Sequence, residues 1–311
     1  METPHVSVMV ITYNHAAYIR QAIMSVIEQE VDFSLVINVI DDCSTDGTQE
    51  IIRTLKQEYP DKIELFLNAK NIGYKVTQKN FYRGFKTLTG TYMAILEGDD
   101  YWSDTGKLQK QIDFLENNPE YVACAHNALK VYEDREKEPH LFLPPPDKAC
   151  HDIHDLIMIS SYFHTTTLTY RNVLKDRVPD QFINPLSCDL FVTMAHAQYG
   201  YIRFFSDDVM SVYRDHTNGR FSGMAEVKGW IFNIDGLRQY NKWLGYKYRD
   251  TFNASIYRYC THLLSNGTRE GGLTFFKWLK YRAIMRYYRY LSKNPHKSYH
   301  SPSALIRLLK P

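Results

Sequence analysis

The feature that most constrains the fold of this chain is a regular alternation of apolar strands and amphipathic helices near its N-terminus. The runs VSVMVIT, LVINVID, IELFLN and TYMAILEG have the length and apolar composition of buried strands. Segments between them, such as Ala16–Glu28, carry apolar residues at helical spacing. Because strands and helices that alternate in this way form parallel sheets, we predict an α/β fold with a mostly parallel central sheet and flanking helices.

Polar residues stand where each predicted strand ends. These ends are Thr12–Asn14, Asp41–Thr48, Asn71–Gly73 and Glu97–Asp100. In a doubly wound sheet, ligands bind beyond the carboxyl ends of the strands, at one edge. We therefore expect the four segments to form a single pocket. Asp46, within the second segment, is placed to cap the helix that follows it.

Three carboxylates, Glu97, Asp99 and Asp100, lie within the short segment LEGDDYW. Like charges at this spacing repel one another, and burial increases that cost. The chain has neither a GxGxxG after its first strand nor a GxxxxGKS/T, the loops with which dinucleotide dehydrogenases and P-loop enzymes bind phosphate. Carboxylates hold phosphate only through a bridging divalent cation. The sheet and the acidic cluster together therefore predict a metal-bridged nucleotide.

The composition, with 44% hydrophobic and 23% charged residues, is typical of a globular protein with a sizeable core. No apolar run is long enough to span a membrane, and the N-terminus lacks a basic segment followed by an apolar signal core. The five cysteines are scattered and odd in number, which favours a reducing compartment over a disulfide framework or a zinc site. We therefore expect a cytoplasmic protein.

The last third of the chain predicts a separate helical domain. We expect an α/β domain over residues 1–228 and a C-terminal helical extension, rich in basic and aromatic residues, over residues 229–311. Within it, Leu273–Lys293 has apolar residues on one helical face and basic residues on the other. The apolar face includes Phe276, Leu279, Tyr287 and Leu291, and the basic face includes Arg282, Arg286 and Arg289.

Two interpretations of this helix stay open. It lies on an anionic membrane surface, here the inner face of the plasma membrane, or it packs on the first domain with its basic face in solvent. No recognised nucleic-acid-binding motif accompanies the basic residues. We therefore expect no nucleic acid partner.

Six segments follow one another in an order and at a spacing that are far more specific than any segment alone. They are VITYNHAAYIRQAIMSVIEQ, VIDDCSTDGTQEII, NIGYKVTQKN, AILEGDDYW, CDLFVTMAHAQYG and VYRDHTNG. Together they resemble the family 2 glycosyltransferases of the bacterial surface-polysaccharide type, over roughly residues 5 to 225. The resemblance implies the GT-A fold, a Rossmann-like α/β architecture, and transfer of a sugar from a nucleotide-sugar donor.

The resemblance implies a donor pocket at the strand ends. Thr12 and Tyr13 would face the base and ribose at the start of the pocket, together with Asn14. Asp41 would accept a hydrogen bond from the base, although capping a turn is the alternative role for an aspartate at a strand end. Lys79 stands where the family often has an arginine facing the nucleotide. It keeps the charge without the bidentate fork, and a solvated lysine is its alternative.

The base contact of Asp41 makes UDP the favoured nucleotide, because uracil presents an N3–H donor. Thymine presents the same donor, so dTDP stays open. His164 and Thr165, in the segment YFHTTTLTYR, are implied contacts of the donor sugar. The donor sugar and the acceptor are not readable from the sequence.

The resemblance also implies a metal site. Glu97–Asp99 matches the family's DxD position, with Glu in place of the first Asp and Gly98 between the two carboxylates. Asp99 would bind a divalent cation that also holds the diphosphate, and Asp100 would contact the metal or the sugar. His216 resembles a family histidine that closes over the same metal, whereas a structural or exposed histidine is its alternative. Hard oxygen ligands favour Mg²⁺ or Mn²⁺ over zinc, and a histidine ligand favours Mn²⁺.

Asp189 resembles the family's catalytic base. Many relatives have Glu-Asp followed by Trp at this point, whereas this chain has Cys188, Asp189 and Leu190. The resemblance implies that Asp189 takes a proton from an acceptor hydroxyl, which attacks the anomeric carbon in one displacement and inverts its configuration. The alternative is that Asp189 only caps the helix that it begins.

Three function classes stay open at this point. The first is a metal-dependent inverting glycosyltransferase that uses a nucleotide sugar, with a UDP-sugar favoured, and a hydroxyl of a glycan or lipid-linked saccharide acceptor. The second is a nucleotidyltransferase, which would usually carry a glycine-rich, basic loop after the first strand, and TYNHAAY is not one. The third is an inactive nucleotide-sugar-binding module. The presence of Asp41, Asp99, Asp189 and His216 favours an enzyme over such a module.

Overall fold

The computed structural model of the chain describes residues 3–71, 84–134, 136–143, 148–159, 163–175, 188–216, 226–266 and 275–293. The chain divides into two compact units. The first unit comprises Met1–Ile153, Ser161–Asn184 and Cys188–Gly219. The second unit comprises His154–Ser160, Pro185–Ser187 and Arg220–Pro311. The predicted domain boundary between residues 228 and 229 stays a prediction.

The described part of the first unit is built on a ten-stranded mixed sheet. Its strands are β1 (Val6–Thr12), β2 (Leu35–Asp41), β3 (Ile63–Leu67), β4 (Tyr92–Glu97), β5 (Tyr101–Trp102), β6 (Tyr121–Tyr132), β7 (His140–Leu141), β8 (Cys150–His151), β9 (Thr169–Arg171) and β10 (Tyr201–Asp215). The order is β3-β2-β1-β4-β9-β6-β10-β5, with β7 paired to β6 and β8 paired to β10.

The parallel pairs form the body of this sheet. β1 pairs in parallel with β2 and β4, β2 with β3, and β6 with β10. The antiparallel pairs involve β5, β7, β8 and β9, each of which is only two or three residues long. The α/β prediction is therefore confirmed. Beyond the four strands that the apolar runs predicted, the sheet contains the long strands β6 and β10 and the short antiparallel strands.

Helices flank the sheet because their apolar residues recur at helical spacing. Helices of the first unit include α1 (Ile19–Ile27), α2 (Thr48–Glu58) and α3 (Lys107–Asn117). Next along the chain come α4 (Ile153–Ile159), where the first unit passes into the second, and α5 (Cys188–His196), again in the first unit. In α1 the residues Ile19, Ala22, Ile23 and Val26 are fully buried. They belong to one hydrophobic core with the inward-facing residues of β1, β2 and β4.

The start of α2 differs from the prediction. The residue before the helix is Gly47, whose φ of 100° lies in the left-handed region that glycine tolerates. Asp46 accepts hydrogen bonds from the backbone N–H of Thr48 at 3.0 Å and of Ala16 at 2.9 Å. Its carboxylate therefore joins the first turn of α2 to the loop after β1 instead of serving as the N-cap residue.

The second unit is helical where it is described. Its helices are α6 (Glu226–Trp243), α7 (Arg249–Asn266) and α8 (Phe275–Lys293), together with most of α4. The hydroxyl of Ser255 donates to the carbonyl of Ile157 at 2.7 Å and joins α7 to α4. None of the helices in the described ranges is both long enough and apolar enough to cross a bilayer.

The predicted amphipathic helix is present as α8, and its faces can be compared with the prediction. Tyr287 and Leu291 are buried, as are Tyr281 and Tyr288. Leu279, predicted on the apolar face, is exposed. The hydroxyl of Tyr281 lies 3.5 Å from a carboxylate oxygen of Asp235, in α6 of the same unit. Packing of the tyrosines therefore rotates the buried face away from Leu279.

Candidate active site

Three of the predicted strand ends lie side by side at one sheet edge. Thr12, at the end of β1, is in register with Asp41 at the end of β2, and Ile11 is in register with Glu97 at the end of β4. The backbone continues these ladders beyond the strands, because Gly98 N–H donates to the carbonyl of Ile11 at 2.8 Å. Of the remaining predicted segment, residues 71–73, Asn71 is described, whereas residues 72 and 73 lie outside the described residues.

Asp41 is fully buried and is held by its own loop. The backbone N–H and the hydroxyl of Ser44 donate to its two carboxylate oxygens, and Gln49 Nε2 donates to Oδ2 at 2.6 Å. A carboxylate accepts about four hydrogen bonds. The turn role of Asp41 is therefore present, and its contact with a base stays a prediction.

Asn14 joins the loops after β1 and β2. It adopts a φ of 54°, in the left-handed region that asparagine tolerates better than most residues. Its backbone N–H donates to the Ser44 hydroxyl at 2.8 Å, and its side-chain carbonyl accepts from the N–H of Thr45 at 2.9 Å. Next to it, Tyr13 is exposed and Thr12 is buried. Asn14 thus fixes the backbone next to the exposed Tyr13 ring.

Gly98 is needed where the acidic loop passes the loop after β1. A Cβ atom at Gly98 would lie 2.8 Å from Thr12 Oγ1 and 3.0 Å from His15 Nδ1. The first of these distances is shorter than any ordinary contact of a side-chain carbon, so a larger residue would push the two loops apart. The close approach places His15 beside the acidic cluster.

Asp99 has histidines on two sides. Its Oδ2 lies 3.1 Å from His216 Nε2 and 3.6 Å from His15 Nε2. Burial favours the neutral carboxyl, but the hydrogen bond to His216 and the charge of His15 outweigh it and lower the pKa of Asp99. The same hydrogen bond raises the pKa of His216, whereas burial lowers that of His15. The structure therefore brings together Asp99 and His216, the two predicted metal ligands.

Asp100 is buried in a second cluster. Its Oδ1 accepts a hydrogen bond from the backbone N–H of Arg214 at 2.8 Å, and its Oδ2 lies 3.9 Å from His164 Nδ1. Burial, followed by the charges of Asp99 and Glu97, raises the pKa of Asp100 well above its ordinary value. Glu97, Asp100 and His164 each offer one ligand atom, and these atoms lie within 4.8 Å of one another.

The cluster around Asp99 and the cluster around Asp100 both have ligand atoms that suit a divalent cation. The donor atoms are carboxylate oxygens and imidazole nitrogens, which suit Mn²⁺ and Mg²⁺ better than softer ligands would. The pKa of Asp100 is raised first by burial and then by the charges of Asp99 and Glu97, and a bound cation would offset that repulsion. Asp99 with His216, or Glu97 with Asp100 and His164, could hold it. Sequence analysis had placed His164 only as a sugar contact, and its distance from Asp100 becomes visible only in the fold.

His164 begins a short 3₁₀ turn. The turn consists of Thr165–Thr167, all buried, and the predicted sugar contact Thr165 lies within it. His164 Nδ1 lies 3.1 Å from the hydroxyl of Thr166, and its ring centroid lies 4.2 Å from that of Tyr213. These contacts fix the imidazole beside the acidic loop. The roles of His164 and Thr165 toward a sugar stay predictions.

Arg214 is a site residue that sequence analysis missed. Its guanidinium donates to the backbone carbonyl of Asp99 at 2.7 Å and to the carboxylate of Glu133 at 3.1 Å. It also lies over the ring of Tyr101, 4.5 Å from the centroid. Arg214 therefore holds the backbone of the acidic loop from the end of β10. The only signal in the sequence was its place two residues before His216.

Of two predicted residues, the structure describes one only in part and the other not at all. Asp189 is the second residue of α5, a position compatible with both a base and a cap, and its side chain lies outside what the structure describes. Lys79 lies outside the described residues altogether. The helix that carries Asp189 is held one turn later, because Thr193 Oγ1 and the hydroxyl of Tyr170 lie 2.8 Å apart.

Comparison with known proteins shows the family of the chain. Residues 7–178 match the family described as Glycosyl transferase family 2. The protein Rv1520 of Mycobacterium tuberculosis is 33% identical over 215 residues, which are 68% of this chain and 59% of the relative. The present chain therefore spans about three fifths of the length of that relative.

Solved structures agree on the fold. S. aureus TarS in complex with UDP-GlcNAc matches with a TM-score of 0.62 and 17% identity, over 91% of this chain and 81% of that chain. The mannosyltransferase PcManGT of Pyrobaculum calidifontis, in complex with GDP-Man and Mn²⁺, matches with a TM-score of 0.55 and 20% identity, over 99% and 86% of the two chains. The chain belongs to glycosyl transferase family 2 and has the GT-A fold of these enzymes.

Proposed function

We propose that this protein is a metal-dependent, inverting glycosyltransferase. It moves a sugar from a nucleotide-sugar donor, with a UDP-sugar favoured, to a hydroxyl of a glycan or lipid-linked saccharide acceptor. The observation that carries the proposal is the meeting of Asp99, Asp100, His216 and His164 at the strand-end edge of a family 2 chain.

Asp41 and the residues at the end of β1 form the nucleotide side of the proposed site. Tyr13 is an exposed aromatic ring, which suits contact with a base or ribose. Thr12 Oγ1 is buried and has no hydrogen-bond partner among the described residues, so it can bind a ligand group. Asp41 would accept a hydrogen bond from the N3–H of uracil or thymine. The UDP-GlcNAc bound by TarS supports UDP, and Lys79 stays the proposed basic contact.

The acidic loop forms the diphosphate side. Asp99 and His216 would hold a Mn²⁺ or Mg²⁺ ion, which when bound neutralises the charge of the departing nucleoside diphosphate. The Mn²⁺ in the PcManGT complex supports this assignment. Arg214 keeps the loop backbone in place through the carbonyl of Asp99, and Asp100 lies next to His164, with 3.9 Å between Oδ2 and Nδ1.

Asp189 acts as the base of the proposed reaction. Its carboxylate accepts the proton of the acceptor hydroxyl while the hydroxyl oxygen attacks the anomeric carbon and the bond to the diphosphate breaks. A single displacement of this kind inverts the anomeric configuration. Its backbone place as the second residue of α5 is compatible with this role.

The deciding experiment separates the three function classes. The full chain is incubated with Mn²⁺ and a panel of UDP-, dTDP- and GDP-sugars, and release of nucleoside diphosphate is measured. We expect release from at least one donor, and loss of that release in Asp99→Asn but not in Asp113→Asn, an exposed carboxylate of α3. Pyrophosphate release from nucleoside triphosphates would instead identify a nucleotidyltransferase, and donor binding without turnover would identify an inactive module.

For location, we propose peripheral attachment to the inner leaflet of the plasma membrane through the basic face of α8. The buried tyrosines of α8 leave its apolar face largely covered within the second unit, whereas Lys277, Lys280, Arg282 and Arg289 are exposed. The attraction is therefore electrostatic, between these side chains and anionic headgroups. It would bring the enzyme near a lipid-linked acceptor.

A further inference from the structure

Lys107, the first residue of α3, is a buried lysine that the proposed reaction does not use. Its side chain is fully buried, and its Nζ donates to Gln111 Oε1 at 2.7 Å. The Nζ also lies 3.5 Å from Thr169 Oγ1 and 4.0 Å from the ring centroid of Trp102. Within the described ranges of the chain, no carboxylate forms an ion pair with it.

A buried amine without an ion-pair partner costs free energy. Burial lowers the pKa of Lys107 to about 7, because the site disfavours the charged form. A methionine would fill a similar volume without that desolvation cost. The amine therefore contributes something that apolar packing does not, and its hydrogen bond to Gln111 is the contact that an apolar side chain would lose.

Gln111 has a partner for every hydrogen-bonding group of its amide. Its Oε1 accepts from Lys107 Nζ and from Thr169 Oγ1 at 2.7 Å. Its Nε2 donates to the carbonyls of Cys124 at 3.2 Å and Thr167 at 2.9 Å. The Lys107 amine donates to the oxygen end of the amide, and the carbonyls of Cys124 and Thr167 can only accept, so all three partners agree on which end carries the oxygen. The opposite end is then fixed as the donor to two carbonyls in β6 and in the Thr165–Thr167 turn.

Hydrogen bonds to the backbone carbonyls of two successive residues hold the Thr165–Thr167 turn. Trp102 Nε1 donates to the carbonyl of Thr166 at 2.9 Å, and Gln111 holds that of Thr167. The N–H of Thr167 in turn donates to the carbonyl of His164 at 3.0 Å. His164 faces Asp100, and Trp102 follows Asp100 by two residues. The chain of contacts from Lys107 therefore ends at the acidic loop.

We propose that Lys107 is a positioning residue: through Gln111 it holds the Thr165–Thr167 turn in the place that sets His164 against Asp100. The placement of the turn does not depend on what the enzyme binds. Its consequence, tighter binding of a nucleoside diphosphate with its metal, rests on the proposed function. The two parts are therefore tested by separate measurements.

The test compares Lys107→Met with Lys110→Met in the full chain. Lys110 lies on the same helix, is half-exposed and pairs with Asp208 at 2.6 Å, so its replacement controls for the loss of a lysine from α3. Hydrogen exchange of the Thr167 and Leu168 amides reports on the turn, and thermal unfolding reports on the whole chain. Calorimetric titration with UDP in the presence of Mn²⁺ reports on nucleotide binding.

For Lys107→Met we expect the protection of the turn amides from hydrogen exchange to fall about tenfold, and the affinity for UDP to fall by a similar factor. Effects of this size are typical of residues that are coupled through a hydrogen-bond network. The unfolding midpoint stays unchanged or rises, because the buried amine has been removed. Lys110→Met changes neither property. In a Gln111→Met background, Lys107→Met should add no further loss of turn protection, since the amide that it orients is gone.

Two results would overturn the proposal. One is that the amides of the turn exchange hydrogen in Lys107→Met at the same rate as in the wild type. The other is a loss of turn protection that parallels a loss of global stability, including failure to fold, because either result makes Lys107 an ordinary core residue. If the wild type itself binds no nucleotide, the nucleotide function is refuted, and the exchange measurement still decides the placement of the turn.

Discussion

At the scale of single residues, Asp99 would couple the metal to the nucleotide in the proposed complex. The carboxylates of the acidic loop and His216 supply too few ligands for Mn²⁺ or Mg²⁺, which prefer six. Oxygens of the diphosphate complete the set in the proposed complex. Metal and nucleotide should therefore bind cooperatively, and each should strengthen the other by the same factor.

The first prediction follows from this coupling. Calorimetric titration with Mn²⁺ should give a dissociation constant at least about tenfold lower with saturating UDP than without it. Asp99→Asn should abolish the difference, because it removes the carboxylate that would hold the metal against the diphosphate. Asp113→Asn on α3 serves as the control and should behave as the wild type. Equal Mn²⁺ affinity with and without UDP would contradict a shared site.

The second prediction concerns Asp189. Asp189→Asn keeps the shape of the side chain and removes the proton acceptor, so sugar transfer should fall by roughly 10²–10⁴-fold. UDP affinity should stay within a few-fold, because the base does not hold the nucleotide. Initial rates with the active donor, together with calorimetry, measure both quantities. A near-native rate would leave Asp189 as a helix cap and direct the search to another carboxylate.

At the scale of elements, the close approach of the loops after β1 and β4 depends on one glycine. A Cβ at Gly98 would lie 2.8 Å from Thr12 Oγ1, so the third prediction is that Gly98→Ala separates these loops. We expect a loss of stability of about 1–3 kcal/mol, as for other overpacked sites, and weaker UDP binding. Denaturant unfolding and calorimetry measure the two effects.

The control for this variant is Gly229→Ala. Gly229 lies in α6, and a Cβ there would meet no atom within 4 Å. Alanine in an open helical position should stabilise by about 0.5–1 kcal/mol. Opposite signs for the two substitutions would locate the cost in the contact with Thr12. A neutral Gly98→Ala with native UDP affinity would argue against a close approach of the loops.

The buried start of α3 gives the fourth prediction, a pH dependence of stability. The pKa of Lys107 falls from 10.5 to about 7 in the folded chain because of burial. Between those values the unfolded chain binds a proton that the folded chain has released, so the contribution of Lys107 to stability rises with pH. Below pH 7 both states are protonated and the full cost of burying the charge is present.

Denaturant unfolding at pH 7 and pH 9.5 tests this contribution. The free energy of unfolding of the wild type should increase over this interval relative to that of Lys107→Met, which lacks the titrating group. Subtracting the free energies of unfolding of the two proteins removes the contributions of the other groups that titrate in this pH interval. Lys110→Met should follow the wild type. Parallel curves for wild type and Lys107→Met would mean that the buried amine keeps an ordinary pKa.

At the scale of the whole molecule, the fifth prediction concerns membrane attachment. Each basic residue near an anionic surface contributes about 1 kcal/mol. Replacing Arg282 and Arg289 of α8 by Gln should therefore weaken binding to anionic vesicles by roughly 30-fold at low salt. The exposed pair Arg53 and Lys62 of the first unit, replaced in the same way, is the control.

Sedimentation with vesicles of neutral and anionic lipid measures this binding. The wild type should bind anionic vesicles only, and less as salt shortens the screening length. Circular dichroism verifies that both double variants keep their helices. If the wild type ignores anionic vesicles at low salt, the basic face of α8 is simply solvated, as the second interpretation of the sequence holds.

The sequence by itself determined the elements and the edge at which the site lies. Apolar periodicity is local, so VSVMVIT and LVINVID predicted strands that the structure has as β1 and β2, and Ile19, Ile23 and Val26 predicted the buried face of α1. The strand ends then had to meet, because parallel strands point the same way. The order of the motifs predicted the family, which is confirmed.

Only the tertiary structure decided which side chains face each other. Arg214 holds the carbonyl of Asp99, and His164 faces Asp100, although many residues separate them in the chain. Hydrogen bonds and charge interactions act over a few ångströms in space, and no local pattern encodes which distant residue fills that distance. Lys107 is the clearest case: its sequence position is that of an ordinary lysine at a helix start, and only the surrounding strands bury it.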